Sequence, residues 1–441
     1  MSATATTLPG GLERLEPAAD GHHPAWVGRA RHDAREWVAE HGFPTLKDED
    51  WRYTRVASIL EIPFEPALPP TSPLPSKSAV DQVAGDLGGT RLVFFNGHLA
   101  RQLSSFADLP PGVRVTSFAS ALVDDAPLLE PVLAGRSREH RHAFTELNLA
   151  LAEDGAIIHI PAGTTIAAPI HLVFVSAAVS PLVSSPRSVV LAGARSRATI
   201  VETHVGSAGV YLTNAVTEVV LDEGARVEHY KVQDEADSAF HLAALHVRPG
   251  RDSSFSTHSL ALGGAIARHE VRVRLESEGA EVTLNGLYLP EGEQHHDNPT
   301  LIEHVAPRCT SRQLYKGVLD GHGRGVFNGR IVVHPGALGT DASQINKNLL
   351  LSDDAEVDTR PRLEILTDDV RCTHGAAVGQ LDEDAVFYLR SRGVPHQEAR
   401  ALLTHAFVRE LLELIGVGAL RSHVENQVAA RLRAARVGVG R

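Results

Sequence analysis

The feature that most constrains the fold is a series of short β-prone segments between residues 154 and 380. The segments are rich in Val, Ile, Leu and Thr, and a Gly or Asp separates most of them from the next. Short strands that recur without a long helical pattern between them are typical of a sandwich, a barrel or a solenoid. The predicted strands are residues 156–160, 170–175, 188–191, 199–205, 216–221, 227–232, 242–247, 254–260, 270–275, 281–287, 325–333, 344–351, 363–366 and 370–379.

The extent of this series and a recurring turn favour a solenoid, in particular a β-helix. The region has no obvious internal break and is longer than one sandwich usually requires. An acidic residue followed by Gly-Ala leads into a strand at residues 154–158, 223–227 and 278–282, which read DGAII, EGARV and EGAEV. A β-helix buries each turn against its neighbours and exposes strand edges only at its two ends. Those ends need covers, and the flanking sequences suit that role.

Both flanks have helical patterns. On the N-terminal side we predict helices at residues 26–40, 117–122 and 140–151, and a strand at 91–95 that leads into an Asn96-Gly97 turn. Six prolines between Pro63 and Pro75 predict an extended linker, because proline fixes φ and removes a donor. After Gln380 we predict helices at residues 382–392, 395–415 and 420–436.

These patterns divide the chain into four parts. The 441 residues alone predict about three domains. The Pro-rich linker, the first solenoid segment and the final helices mark the boundaries. The predicted parts are a helical N-terminal domain with the linker (1–75), an α/β lead-in (76–153), the β-helix core (154–380) and a C-terminal helical domain (381–441).

Composition excludes several classes of function. A net charge of −12 and an aromatic content of 5% argue against a basic, base-stacking nucleic-acid surface. No apolar run approaches the roughly 18 residues of a membrane span. The two cysteines, Cys309 and Cys372, lie far apart, and the N-terminus has no pattern of a signal peptide. We therefore expect a cytoplasmic protein that binds neither nucleic acid nor membrane.

The last predicted strand carries the first candidate site, formed by Cys372 and His374. Side chains alternate along a strand, so these two share one face, with their Cα atoms about 6.6 Å apart. A thiolate and an imidazole both suit iron, and Arg371 would lower the thiol pKa if it turned to the same side. The alternative is a small buried thiol beside a hydrogen-bonded core histidine. Two ligands cannot complete a metal site, so a metal role requires donors from another chain.

Two further motifs are weaker candidates. His295, His296, Asp297 and His304, with Cys309 nearby, have residue types that suit zinc, but their spacing matches none of the strong zinc motifs. The glycines of residues 321–325 resemble half of a dinucleotide loop, yet they lead into a strand and not into a helix. The sequence has no Walker A loop and no Gly-x-Ser-x-Gly elbow, so nucleotide hydrolysis would belong to a partner.

Several long stretches resemble the SufD family, the scaffold subunits that assemble iron–sulfur clusters with SufB and the ATPase SufC. The similarity covers nearly the whole chain after about residue 20 and is most specific between residues 340 and 393. The matching stretches read GFPTLKDEDWRYT (42–54), DGAIIHIPAGT (154–164), SRQLYKGVLDG (311–321), TDASQINKNLLLSDDAEVDTRPRLEILTDDVRCTHGAAVGQLDED (340–384) and FYLRSRG (387–393). The Cys-x-His-Gly form at residues 372–375 favours SufD over the related SufB.

The resemblance implies a fold and a role. The fold is a right-handed parallel β-helix between helical N- and C-terminal domains. The role is that of a subunit without catalysis of its own, which pairs with SufB through the end of the β-helix. His374 matches the family's histidine at that interface, where a transient iron–sulfur cluster forms with a SufB cysteine, and Cys372 matches the neighbouring cysteine.

The resemblance also implies that SufC binds the C-terminal helices. We assign partner binding to Phe387, Tyr388, Leu389, Arg390 and Arg392, which belong to the matched stretch that leads into those helices. An exposed solenoid end makes a homodimer plausible for the isolated chain. The type of cluster, the entry route of sulfur and the presence of a flavin in the complex stay open.

Two other classes of function remain as alternatives. β-Helices often serve polysaccharide lyases and hydrolases, which need paired carboxylates or a basic residue in a cleft halfway along the solenoid. No convincing cluster of that kind is evident in the sequence. The other alternative is a metal-free interaction module, in which Cys372 and His374 only pack and touch neither solvent nor a partner.

Overall fold

The computed structural model describes residues 11–12, 15, 23–70, 74–133, 141–207 and 209–434. Its main body is a β-solenoid, as predicted, and the solenoid has about eight turns. The strands are β1 Glu65–Pro66, β2 Thr90–Phe95, β3 His98–Leu99, β4 Arg114–Ser117, β5 Ala156–Ile160, β6 Ile170–Ser176, β7 Leu182–Ser184, β8 Arg187–Ala192, β9 Arg197–Gly206, β10 Tyr211–Leu221, β11 Arg226–Asp234, β12 Phe240–Pro249, β13 Ser254–Ala261, β14 Ile266–Leu275, β15 Glu281–Tyr288, β16 His295–His304, β17 Thr310–Leu319, β18 Arg324–Val333, β19 Thr340–Leu350, β20 Glu356–Ile365 and β21 Val370–Gly379.

Successive strands from β8 onward alternate between two sheets. Strands β5, β8, β10, β12, β14, β16, β18 and β20 form sheet A, and strands β6, β9, β11, β13, β15, β17, β19 and β21 form sheet B. Each of these strands pairs in parallel with the next strand of its own sheet, so every turn stacks on the one before it. The space between the sheets holds an apolar core that extends from Leu92 to Ala355.

The two ends of the solenoid differ. At the N-terminal end, strands β3 and β4 pair antiparallel with β2 and β5 and complete the sheets there. The proline-rich segment also joins the body, because Glu65–Pro66 pairs in parallel with β7. At the C-terminal end, β20 and β21 are the last strands of sheets A and B in the described part of the chain.

Helices cover the outer faces of both sheets. Their ranges are α1 Ala25–His41, α2 Ala57–Leu60, α3 Lys77–Ala84, α4 Phe118–Asp124, α5 Ala126–Leu133, α6 Ala143–Leu151, α7 Glu383–Ser391, α8 His396–Glu413 and α9 Gly418–Ala434. Trp51 and α6 pack with residues of β10 and β12 on sheet A. Helices α8 and α9 pack their apolar side chains on the outer face of sheet B, against residues such as Tyr230 and Leu349.

Local sequence explains where the C-terminal helices begin and end. The Asp382 side chain caps α7 by accepting hydrogen bonds from the backbone N–H groups of Asp384 and Ala385. Gly393, at φ +88°, follows the helix, and Pro395 precedes α8. No helix in the described part of the chain has the length and apolar character that a membrane crossing needs.

The sequence patterns did not indicate the short strands β1, β3, β4 and β7, and within the solenoid they also did not indicate the two long strands β16 and β17. Their sequences, HHDNPTLIEH and TSRQLYKGVL, contain many polar residues and show no clear apolar alternation. They are nevertheless regular strands, because the solenoid interior accommodates hydrogen-bonded polar side chains at this level. Parallel pairing of β16 with β14 and β18 then stabilises a segment that its composition does not identify.

Candidate functional site

The C-terminal turn of the solenoid is formed by β20 and β21 and is much more open than the turns before it. Every residue of β21 is partly or fully exposed, whereas alternate residues of β19 are buried. The reason is positional, since β21 has β19 on one side and no further strand of the described chain on the other. The outer edges of β20 and β21 therefore present backbone N–H and C=O groups that no further turn occupies.

Cys372 and His374 lie on β21, on the strand face that continues the interior of the solenoid. Cys372 is in register with buried Ala342, and His374 is in register with buried Gln344. Cys372 is partly buried and packs against the apolar core, while His374 is exposed. The structure thus places both residues on one face at the open end of the solenoid.

The thiol of Cys372 is not activated by its surroundings. Burial raises its pKa, and the nearby carboxylate of Asp341 raises it further. Arg371 is exposed and lies on the opposite face of the strand, so the condition under which it would lower this pKa is not met. Cys372 is therefore a neutral thiol in the isolated chain, and it would need a metal or a partner group to become a thiolate.

Amide side chains line the interior directly beneath this turn. Gln344 donates to Gln313 Oε1 at 2.9 Å, and Asn348 donates to Asn346 Oδ1 at 2.6 Å. Asn346 in turn donates to the Tyr288 hydroxyl at 3.2 Å. The floor of the open end is therefore polar and neutral and adds no charge near His374, and its amides are hydrogen-bonded in part, since Gln344 Oε1 and Gln313 Nε2 have no partner among the described residues.

The N-terminal segment holds the outer face of this last turn. Glu49 Oε1 lies 2.7 Å from Arg362 Nη1 and 3.0 Å from Arg360 Nη2 on β20. Arg362 also donates to Asn328 Oδ1 on the preceding strand of sheet A at 3.2 Å. The segment that contains Trp51 thus connects the body of sheet A to its terminal strand.

The residues assigned to partner binding lie on α7 and immediately after it. Phe387 and Tyr388 are 69% and 58% exposed, which is unusual for large apolar side chains. Arg390 and Arg392 are also exposed, and the Arg392 guanidinium lies 5.3 Å from the Tyr388 ring centroid. Leu389 is partly buried. The helix therefore presents a mixed aromatic and cationic surface beside the open end of the solenoid.

The structure divides the predicted histidine motif between two faces of β16. His295 and Asp297 lie on the outer face, where both contact the Thr54 hydroxyl, at 2.9 Å and 2.5 Å. His296 and His304 are buried on the inner face, and His304 Nε2 lies 2.8 Å from the Ser311 hydroxyl. No cluster of three or more metal-binding side chains occurs among the residues that the structure describes.

Cys309 does not join this motif. Its thiol is fully buried and donates to the Ser277 carbonyl at 3.3 Å. Burial raises its pKa. Cys309 is therefore an inert buried thiol.

A cluster of ionisable side chains inside the solenoid was not predicted from the sequence. Glu202 lies 3.7 Å from His204 and 3.6 Å from His229, and Lys231 Nζ lies 3.3 Å from His204 Nε2. Each of these four side chains is at most 4% exposed. Alternating polar residues in β9 and β11 were the available signal. Because the cluster is enclosed, it does not form the cleft that a polysaccharide-cleaving enzyme needs.

Comparison with known proteins identifies the family. Residues 174–407 match the model of the SUF system FeS cluster assembly SufBD core domain, and residues 15–172 match that of the SufBD protein N-terminal region. The chain is 31% identical over 418 residues to an iron–sulfur cluster assembly SufBD family protein of Synechocystis, with 91% of this chain and 90% of that protein covered.

Two further relatives agree with this result. The chain is 31% identical over 395 residues to the iron–sulfur cluster assembly protein SufD of Escherichia coli, with 89% of this chain and 90% of that protein covered. It is 30% identical over 413 residues to the protein ABCI7, chloroplastic, of Arabidopsis thaliana, with 92% and 86% covered. Both family models and these near full-length similarities show that the chain belongs to the SufD family of the SUF system for iron–sulfur cluster assembly.

Proposed function

We propose that the chain is a non-catalytic, cytoplasmic scaffold subunit that pairs with SufB and with the ATPase SufC. In this proposal a nascent iron–sulfur cluster forms between the C-terminal turn of the solenoid and SufB. The observation that carries the proposal is the exposure of His374 at the uncovered end of a solenoid whose other inward-facing positions are mostly buried.

The edges of β20 and β21 support pairing with a second β-solenoid. A free parallel edge can accept a further strand through main-chain hydrogen bonds, as in β-augmentation. A partner with a similar free end would continue both sheets and cover the open turn. Two copies of this chain could pair in the same way, so a homodimer of the isolated chain competes with the SufB complex.

His374 and Cys372 would contribute donors to the cluster, which is the cargo of the assembly. Imidazole and thiolate both bind iron, but a cluster needs about four protein donors. The described part of this chain brings two such residues to the open end. The remaining donors would come from SufB, so cluster formation depends on the assembled interface. The neutral thiol of Cys372 makes His374 the more available donor in the isolated chain.

Helix α7 supports a separate contact with SufC. Exposed aromatic residues beside arginine are typical of the central residues of protein interfaces. Phe387 and Tyr388 have this exposure and lie on a helix outside the solenoid. A partner can therefore bind α7 without covering His374, which allows both contacts at once.

The test is co-purification of the chain with SufB and SufC, followed by anaerobic reconstitution with iron and sulfide. We expect a stable assembly that acquires the visible absorption of an iron–sulfur cluster. His374→Ala should assemble normally but yield much less cluster, because the exposed imidazole contributes little to folding. His322→Ala is the matched control, since His322 is also exposed but lies in the turn before β18.

Three results would contradict parts of the proposal. A normal cluster yield with His374→Ala would exclude His374 as a ligand. Failure of the chain to assemble with SufB would exclude the scaffold role. Full SufC binding by Phe387→Ser would exclude α7 as the docking helix, provided that the circular dichroism spectrum of the variant is unchanged.

A further inference from the structure

A groove lies on the outer face of sheet A, away from the open end of the solenoid. Its enclosed part has a volume of about 110 Å³, comparable to a cavity of about 150 Å³ that holds a benzene molecule. Strands β12 and β14 form its floor, and Thr145 and Glu146 at the start of α6 form one wall. Nothing in the proposed scaffold role uses this groove.

The acidic side chains that line the groove already have cationic partners. Glu218 pairs with the buried Arg187, and Glu303 lies 3.1 Å from Arg274 Nη1. Glu146 lies 2.5 Å from Arg141 Nη2. These pairs largely cancel within the groove, so they leave little net charge for a ligand.

Arg272 pairs with Glu270, so Arg248 is the cation that remains among the described residues lining the groove. It lies on β12, is exposed, and lines the groove. Within the part of the chain that the structure describes, its guanidinium makes no hydrogen bond and no ion pair. A free guanidinium at the rim of a concave site is a strong donor for a carboxylate, sulfonate or phosphate group, because it can bind two oxygens at once.

His246 adds a directional group two residues before Arg248. It lies between Glu218 and Arg272 in the strand register and lines the groove. Its Nε2 atom is buried and has no hydrogen-bond partner. Burial lowers the pKa of His246 to about 4, so the ring is neutral at pH 7. A buried ring nitrogen without a partner is costly unless a ligand or water satisfies it.

We propose that this groove binds a small organic anion with an apolar body and one acidic group. Arg248 binds the acidic group, and His246 Nε2 makes a hydrogen bond to the ligand. The aliphatic stems of Arg272 and Arg274 provide the surface for the apolar body. The site is independent of His374 and of the proposed cluster.

The test uses 8-anilinonaphthalene-1-sulfonate as the probe, titrated into the purified full chain and followed by fluorescence. We expect saturable binding of one probe per chain. Arg248→Glu should weaken it at least tenfold, and His246→Phe should also weaken it, because the phenyl ring lacks the nitrogen. Arg226→Glu is the matched control, since Arg226 is exposed on sheet B outside the groove and should leave the affinity unchanged.

A second probe, neutral N-phenyl-1-naphthylamine, separates charge recognition from apolar binding. It should bind at least tenfold more weakly than the sulfonate. Equal affinity for the two probes, or an Arg248→Glu variant that binds like the unmodified chain, would overturn the proposal. Loss of the signal in Phe387→Ser would do the same, because it would place the probe on α7. His374→Ala should change none of these affinities.

Discussion

Gln344 and His374 are register partners in the last parallel strand pair of the solenoid, and Gln344 is fully buried whereas His374 is exposed. The two side chains occupy equivalent positions on the inner face of successive turns. Only the number of turns above them differs. A partner that added one more turn would enclose His374 as completely as β21 encloses Gln344, which would place any bound metal in a protected space between two chains.

We first predict that tolerance to an added methyl group falls sharply from the open end to the interior. Gly286 is in register with Tyr315, and an alanine Cβ at Gly286 would lie 2.2 Å from a carbon of that ring. Gly286→Ala should therefore destabilise the fold by about 1–3 kcal/mol or more, since Tyr315 is fully enclosed. Urea unfolding measures the loss.

Gly375 provides the matched control for this experiment. It lies beside His374, and nothing is within 4 Å of an added Cβ there. Gly375→Ala should change the free energy of unfolding by less than about 0.5 kcal/mol. Equal losses in the two variants would contradict the difference in packing between the interior and the terminal turn.

The second prediction concerns acid. Burial lowers the pKa of His304 from 6.5 to about 4, so the folded state keeps this ring neutral where the unfolded chain protonates it. Stability from this group is therefore present above pH 6.5 and is lost as pH falls from 6.5 towards 4. Between pH 7.5 and pH 5 the loss is about 2 kcal/mol for this single site.

His304→Gln should remove the contribution of this histidine to the pH dependence of the free energy of unfolding. The glutamine does not titrate, so the difference between urea unfolding at pH 7.5 and at pH 5 should shrink by about 2 kcal/mol. An unchanged difference in His304→Gln would mean that His304 is protonated in the fold.

Burial also lowers the pKa values of His171, His204 and His296 to about 3, so the whole chain should be acid-labile.

Much of the fold follows from local sequence signals. The recurrent turn into a strand predicts the solenoid, and the predicted final strand, residues 370–379, coincides with β21. The onset of helical sequence after Gln380 marks where the solenoid stops. Because β21 is the last strand before those helices, His374 lies at an end of the solenoid. The Cys-x-His pair by itself does not indicate this position.

The remainder depends on contacts between residues that are distant in the sequence. Glu202 contacts His229 because β9 and β11 stack in register. The sequence of one strand does not indicate which polar residue of the other strand lies beside it. Strands β16 and β17 also lack apolar alternation, because several of their interior positions are polar, so the sequence did not identify them. The pKa of Cys372 depends on burial and on Asp341 of the neighbouring strand, whereas the adjacent Arg371 lies on the opposite face of the strand.

The third prediction concerns the ion pair by which the N-terminal segment contacts β20. Glu49 is 58% exposed and pairs with Arg362, so Glu49→Gln should cost less than about 1 kcal/mol in global stability. Its local effect should be larger, because the pair fixes the last strand of sheet A. Hydrogen exchange of β20 should accelerate, while exchange of β14 stays unchanged. Equal acceleration in both strands would indicate general destabilisation instead.

The fourth prediction concerns Lys316, which joins α8 to the solenoid. Its side chain is 4% exposed, and its ammonium donates to the Phe407 carbonyl at 2.7 Å and lies 2.6 Å from Glu410 Oε2. Lys316→Met keeps the aliphatic stem but leaves that carbonyl without its donor. We expect a loss of about 1–3 kcal/mol in urea unfolding, with faster hydrogen exchange in α8.

Glu410→Gln separates the two contacts of Lys316. Glu410 is 56% exposed, and a glutamine can still accept from Lys316, so the loss should stay below about 1 kcal/mol. Equal losses in the two variants would assign the stabilisation to the ion pair and not to the buried carbonyl. Because α7 connects β21 to α8, loosening α8 also changes how α7 presents Phe387. Lys316→Met should therefore weaken co-purification with SufC, although Lys316 itself is buried beneath the helix, while Glu410→Gln should retain it.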